Sequence, residues 1–322
     1  MKKKIIILAG DPNSINSEII YKSWKKINNS EKKDVIIIGN FTLLTDQFKK
    51  LDIDINLIKV EKLNENYSFK YFKIIDIPLD YNDPFKVPFK NASTYVKKAL
   101  TLGHNFALSK LVKGIINCPI NKNLLNHRKT IGVTEFLAAK CNVTDNSEVM
   151  LIHNKHLSVV PLTTHINVRD ISKNIHSDLI IKKVKILNDK FSKLFNKKPV
   201  IGILGLNPHN SEFKNSSEEM LQIKPAISKL KKLGINIFGP LAADTTFIKN
   251  YKEYDVIIGM FHDQVLTPFK TLFHYDAINI TLGLKYIRVS PDHGPAIDLI
   301  GQNKADYISL FKCIKFFKNL DR

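Results

Sequence analysis

The sequence predicts an α/β protein with mostly parallel sheets, and three observations support this. Short apolar runs rich in Val, Ile and Leu recur along the 322 residues. They lack the polar alternation of a strand with one wet face, so they read as strands buried on both sides. Longer stretches of helical periodicity lie between them, and strand–helix alternation favours parallel pairing. Three of the runs lead into a histidine: His165 after 157–162, His209 after 200–206 and His262 after 256–261. In open α/β sheets, ligands bind beyond the carboxyl ends of the strands.

In chain order, the expected strands are 4–9, 34–39, 72–77, 114–118, 157–162, 200–206, 255–261 and 277–282. A helix is expected over 91–111. Another is expected over 177–195, where Ile180, Val184, Leu187, Phe191 and Leu194 form one apolar stripe and Ser177 stands as N-cap. A third is expected over 218–233, stopped by Gly234. The length exceeds one ordinary core and fits two domains. No run approaches the length of a membrane span. The apolar part of the N-terminus, 5–9, is too short for a secretory signal, so a cytoplasmic protein is expected. Cys118, Cys141 and Cys313 form no C-x-x-C pair, which argues against a disulfide framework or a thiolate zinc site.

The net charge of +19 suggests nucleic acid, but only four of the 49 cationic residues are arginine. Nucleic-acid surfaces rely on arginine for forked contacts, so no nucleic-acid partner is expected. Arginine therefore marks positions where a planar fork matters, and Arg169 and Arg288 both fall in polar, turn-rich segments. Neither G-x-G-x-x-G nor a P-loop occurs. Three imidazoles delivered to one sheet edge would make a metal site. Their spacing matches no local metal motif, so the surrounding residues must carry the case.

Those segments contain Gly10-Asp-Pro12 with Glu18, Pro119-Ile-Asn-Lys122, Thr134-Glu-Phe-Leu-Ala138 and Thr163-Thr-His-Ile166 with Arg169-Asp170. Next come Leu206-Asn-Pro-His209 with Glu212, Gly239-Pro240 with Ala243-Asp-Thr245, and His262-Asp-Gln264 with Pro268 and Lys270. Last is Asn279-Ile-Thr-Leu-Gly-Leu284, running through Arg288 and Ser290-Pro-Asp-His-Gly294 to Gly301. Taken in order from residue 10 to 301, they resemble the 4-hydroxythreonine-4-phosphate dehydrogenase family of pyridoxal-phosphate biosynthesis.

The resemblance implies two α/β/α domains, like those of isocitrate and isopropylmalate dehydrogenases, with the site in the interdomain cleft. Residues 1–125 with 275–322 would form the cofactor side, and 126–274 the metal, substrate and dimerisation side. It implies a homodimer in which His165, His209 and His262 bind one divalent metal (zinc, magnesium or cobalt), one of the three coming from the neighbouring subunit. It assigns substrate contacts to Thr134, Lys270, Asn279 and Arg288, and an NAD or NADP loop to Asp292, His293, Gly294 and Asp298 with Gly301. The implied reaction oxidises 4-phosphohydroxy-L-threonine to a 3-keto acid, which decarboxylates to 3-amino-2-oxopropyl phosphate. A cation on neutral ligands suits an alcohol oxidation, because negative charge develops on the alcohol oxygen. Lys270 is the expected anion contact or proton shuttle. Asp263 either orients an imidazole or caps a helix; Thr134 alternatively caps the run after it, Asn279 is alternatively a core amide, and His293 alternatively a turn residue.

The chain departs from the family at three places. Val133 stands where the family has a substrate-contacting histidine, and it can donate no hydrogen bond. The opening turn, 10–18, lacks two glycines and a proline. The glycine after the second histidine motif is replaced by Ser211. These changes leave room for a related phosphorylated hydroxy acid such as 4-phosphothreonate. Two further classes compete: phosphate acyltransfer on the same superfold, which needs no histidine triad, and a drifted, non-catalytic anion-binding protein.

Overall fold

A computed structural model describes residues 3–63, 67–125, 132–143 and 147–320. The chain divides into two compact units, 1–143 with 284–322 and 144–283. The expected boundaries lie at 125 and 274, the first abutting residues 126–131, which fall outside the described residues.

In the first unit the strands are β1 (Lys4–Leu8), β2 (Val35–Gly39), β3 (Leu57–Lys59), β4 (Phe72–Asp76), β5 (Val112–Asn117) and β12 (Arg288–Pro291). They lie in the order β3-β4-β2-β1-β5-β12, and every pair is parallel. Its helices are α1 (Asn16–Lys26), α2 (Asn29–Asp34), α3 (Phe41–Lys50), α4 (Phe89–Leu108), α5 (Val133–Lys140) and α11 (Ile308–Asn319). All five residues of β1 and of β2 are buried, as continuous apolar runs require when both faces are covered. Ile6, Leu8, Ile36 and Ile38 join the core under α4 with Ala92, Tyr95, Val96 and Ala99. Ile5 and Ile7 point to the opposite face by strand alternation.

The second unit holds β6 (Val149–His153), β7 (Ser158–Thr163), β8 (Ile201–Leu204), β9 (Ile237–Leu241), β10 (Val256–Phe261) and β11 (Ile278–Leu282), in the order β11-β6-β7-β10-β8-β9. β6 is antiparallel to both neighbours, and the remaining pairs are parallel. Its helices are α6 (Ile171–Asn174), α7 (Ser177–Phe195), α8 (Lys224–Lys232), α9 (Ala243–Thr246) and α10 (His262–Phe273). Val265, Leu266 and Phe269 of α10 pack on Val159 and Ile257, while α7 lies against β6, β7 and β11. The mostly parallel α/β architecture expected from the sequence is present.

Several local expectations need correction. His176, not Ser177, is the N-cap of α7, and the Ser177 amide donates instead to Gln222 Oε1 at 2.9 Å. The helix expected over 218–233 begins as a π-turn, Glu219–Ile223, before α8. Pro225 lacks the amide hydrogen a regular turn would use there. Gly234 ends α8 at φ +75°, as expected. Strands β3, β6, β9 and β12 were not anticipated: β3 is a three-residue edge, β9 contains Gly239-Pro240, and β12 has only four residues.

One packing constraint gives a direct test. A side chain at Gly114 on β5 would place its Cβ 2.4 Å from the Ile287 carbonyl oxygen and 2.6 Å from the Phe317 ring. Gly114→Val is expected to destabilise the protein by about 1–3 kcal/mol, read from the urea midpoint. An unchanged midpoint would contradict this packing.

Candidate functional site

The second unit presents its histidines just beyond parallel strands. β10 runs straight into α10, so His262 and Asp263 occupy that helix's first turn. Phe261 is the N-cap, and no side chain caps the helix, so Asp263 is not the cap. Its Oδ1 lies 2.6 Å from His262 Nδ1, which fixes the ring and leaves Nε2 as the nitrogen able to face a ligand. His165 follows β7 at φ +54°. Its ring centroid is 5.9 Å from that of His262. The two rings, with Thr163, Ile171, Phe261 and Asp263, line a cavity of about 240 Å³.

His209 does not join them. Its Nδ1 lies 4.0 Å from Asp244 Oδ2, and both side chains are largely exposed. Among the described residues, no three His, Cys, Asp or Glu side chains lie close enough to hold a metal ion. One copy of the chain therefore brings together two of the three expected ligands.

The loop carrying His209 is unusual. Residues 209–213 all have φ between +50° and +57°, a conformation that L-residues other than glycine adopt at a cost. Ser211, where the family has glycine, sits within this run. The loop is held from below by Glu219, a fully buried carboxylate. Glu219 Oε1 accepts from the Leu206 and Asn207 amides at 2.8 Å each. Burial pushes its carboxyl up, but hydrogen bonds from Asn207 and Leu206 outweigh that and hold it below the ordinary range. Gly205 is needed here, since a Cβ would lie 1.9 Å from Asn210 Oδ1. In the sequence, Glu219 reads only as part of the start of the helix expected over 218–233.

Lys270 is in the last turn of α10, and its carbonyl accepts from the His274 amide at 2.8 Å. Asn279 lies on β11, and its Oδ1 is buried with no hydrogen-bond partner among the described residues. That leaves a free acceptor rather than a satisfied core amide.

In the first unit, Arg288 opens β12 and is buried. It donates through Nε to Asn117 Oδ1 and through Nη1 to Thr134 Oγ1 at 3.4 Å. Burial pulls its guanidinium down to about 10, partly offset by Cys313, Glu135 and Tyr286, so it remains cationic at neutral pH. Thr134 is not the helix cap; Gly132 is. Asn117, at the carboxyl end of β5 and the start of a polar, turn-rich segment, holds this fork, a role that the sequence does not show. Val133 opens α5 and packs against the apolar core, which explains why a valine is tolerated there. Arg169, the other motif arginine, is exposed and lies 3.8 Å from Asp170.

The expected cofactor loop is anchored from several sides. The Asp292 amide donates to Ser309 Oγ at 2.9 Å, and His293 Nδ1 lies 3.0 Å from the Gly294 carbonyl. The Asp298 carbonyl accepts from Gln302 Nε2 at 2.5 Å. Open space surrounds the Cβ positions of Gly294 and Gly301. The Ile15 amide donates to the Pro295 carbonyl, and buried Glu18 accepts from the Ala305 amide at 2.6 Å and from Lys22 at 2.7 Å. The glycine-poor opening turn avoids left-handed backbone at Ser14 and Asn16 and uses their side chains instead. Ser14 Oγ donates to the Asp11 carbonyl, and Asn16 Nδ2 donates to the Ala9 and Pro119 carbonyls.

These features define the class: a mostly parallel α/β protein with polar groups gathered just past the ends of buried strands. Isocitrate dehydrogenase of Methylococcus capsulatus shares the fold at TM-score 0.51 and 9% identity, over 99% of this chain and 85% of that one. The family model described as pyridoxal phosphate biosynthetic protein PdxA matches residues 31–317, and the chain belongs to that family. The 4-hydroxythreonine-4-phosphate dehydrogenase of Aquifex aeolicus is 36% identical over 99% of both chains. A relative from Oceanobacillus iheyensis, named for an inferred D-threonate 4-phosphate dehydrogenase activity, is 33% identical over 97% of this chain and 96% of its own. The crystal structure of the Klebsiella pneumoniae 4-hydroxythreonine-4-phosphate dehydrogenase superposes with TM-score 0.86 at 27% identity, covering both chains fully.

Glu219→Gln should cost about 1–3 kcal/mol at pH 7, because it weakens a buried charge-assisted contact. The folded-state pKa of Glu219 is depressed, so its contribution is present above the unfolded value and lost as pH falls through the folded one. The stability gap between wild type and variant, measured by urea unfolding, should therefore shrink at pH values below about 4.5. An equal gap at pH 7 and in acid would contradict the role given to this carboxylate.

Proposed function

We propose that the chain is a divalent-metal-dependent dehydrogenase that oxidises 4-phosphohydroxy-L-threonine with NAD⁺ or NADP⁺. The observation that carries this reading is the full-length match to relatives of that name, together with retention of all three motif histidines.

His165 and His262 are the metal ligands supplied by one copy, with Asp263 orienting His262. His209 of a second copy completes the set, so the working form is a homodimer with shared sites. Three neutral imidazoles leave the charge of zinc, magnesium or cobalt undiminished. When bound, that cation supplies positive charge where an alcohol oxygen becomes anionic.

The chain's own residues do the rest. Arg288, steadied by Asn117 and with Thr134 beside it, presents a fork to the substrate's phosphate or carboxylate. Asn279 Oδ1 accepts a hydrogen bond from a substrate donor. Lys270 takes the hydroxyl proton as the C3–O bond becomes a carbonyl; a bound nicotinamide would supply the acceptor for the carbinol hydride. The product is a β-keto acid. It loses carbon dioxide, and protonation of the resulting enol gives 3-amino-2-oxopropyl phosphate. Asp292, His293, Gly294 and Asp298 hold the nicotinamide cofactor, with Gly294 and Gly301 leaving room for close approach. The three cysteines are buried free thiols, as a reducing cytoplasm allows. Among the described residues no helix is long and apolar enough to cross a membrane, and the scattered lysines indicate no nucleic-acid partner.

Val133 favours a second reading, in which the substrate is D-threonate 4-phosphate. The family histidine would contact substrate, valine cannot, and the Oceanobacillus iheyensis relative is named for that activity.

Purified protein with divalent metal, NAD⁺ or NADP⁺ and 4-phosphohydroxy-L-threonine should reduce the nicotinamide. Chelation or His209→Ala should lower the rate by at least ~10³-fold. Robust turnover after complete chelation would overturn the metal-dependent mechanism. A higher kcat/KM for D-threonate 4-phosphate would move the assignment to the second reading.

A further inference from the structure

We propose a second anion site in the 144–283 unit, built to take a flat aromatic ring carrying a phosphate. A cavity of about 770 Å³ opens between the hairpin at 154–157, the turn at 250–254 and the end of α10. The histidines follow the carboxyl ends of β7 and β10, whereas these segments precede those strands or follow α10. The cavity therefore lies at the opposite end of the sheet and of α10 from His262 and Asp263, and the reaction proposed above does not use it.

Three observations meet there. The first is charge. Lys155, Lys252, His156 and His274 line the cavity with a single acid, Asp276. Two lysines facing one space suit a dianion, and a phosphate monoester carries about −1.5 to −2 at pH 7. The second is shape. Phe273 and Tyr251 form an edge-to-face aromatic wall, with centroids 6.2 Å apart at 82°. The His156 ring lies within 16° of parallel to Phe273. A wall of ring faces beside ammonium groups fits a flat ring joined to an anion.

The third is construction. Asn154 is buried, and its side chain donates to the Asp276 carbonyl and accepts from the His156 amide. One amide thus fastens two walls together. His274 sits at φ +51°, ψ −125°, a conformation that costs a non-glycine residue energy and persists only where the surroundings impose it. Its amide bonds to the Lys270 carbonyl, so α10 joins this cavity directly to a residue of the proposed active site.

Phenyl phosphate is the minimal probe, with inorganic phosphate and phenol as its two halves. Titration calorimetry on the full chain should show phenyl phosphate binding with Kd below ~1 mM, more tightly than either half. Lys155→Glu/Lys252→Glu exchanges two surface cations and should weaken binding at least ~tenfold, with the thermal midpoint confirming that the variant is folded. Arg288→Met, which disables the proposed active-site anion contact, should leave this binding intact. A crystal soaked with the probe should show its ring against Phe273. The site would be refuted by absent binding, by binding undiminished in the lysine variant, or by binding lost in Arg288→Met alone. The last result would assign the probe to the active site and leave the proposed dehydrogenase function standing.

Discussion

Burial of the parallel strands on both faces is the constraint from which the rest follows. β1, β2 and β7 have no exposed residue, and helices cover the sheets on each side. Chemistry-bearing side chains therefore have little place along these strands and gather where the strands end. His165 comes just after β7 and His262 just after β10, Asn117 closes β5, and Arg288 opens β12 beside it. The edge of the sheet is both the place where apolar cover stops and the place where a ligand can be met.

Much of this was legible in the sequence because period and composition report burial directly. Eight runs without polar alternation became strands, and the stripe of Ile180, Val184 and Leu187 became the buried face of α7. The misses have physical causes. β3 and β12 are too short to show a pattern, and the π-turn before α8 follows from a single proline acting on its own helix. The strand ends pointed all three histidines to one sheet edge, but not to which of them a single copy brings together. Sequence order cannot show that His165 and His262 lie 5.9 Å apart while His209 stands elsewhere in the same copy. The roles of Asn117 and Glu219 were not legible because they lie in the groups these residues hold.

The departures from the family pattern are accommodated in three different ways. In the opening turn, Ser14 and Asn16 replace glycine and satisfy neighbouring carbonyls. At Val133 a polar contact is replaced by core packing. At Ser211 the left-handed backbone is kept without its glycine, and Glu219 braces the loop that bears the strain while Gly205 leaves space for Asn210. One of the three departures therefore adjoins His209, the imidazole that, among the described residues, stands apart from the other two expected ligands of its own copy.

That arrangement makes sharing between subunits the central claim, and complementation tests it most directly. In a two-fold dimer each site would take His165 and His262 from one copy and His209 from the other. His209→Ala and His262→Ala should each be inactive alone. Co-refolded in equal amounts, half the dimers should be mixed, each with one intact site, restoring about a quarter of wild-type activity. If the mixture stays as inactive as its parents while mixed dimers are demonstrably present, the ligands do not come from two copies and the account fails.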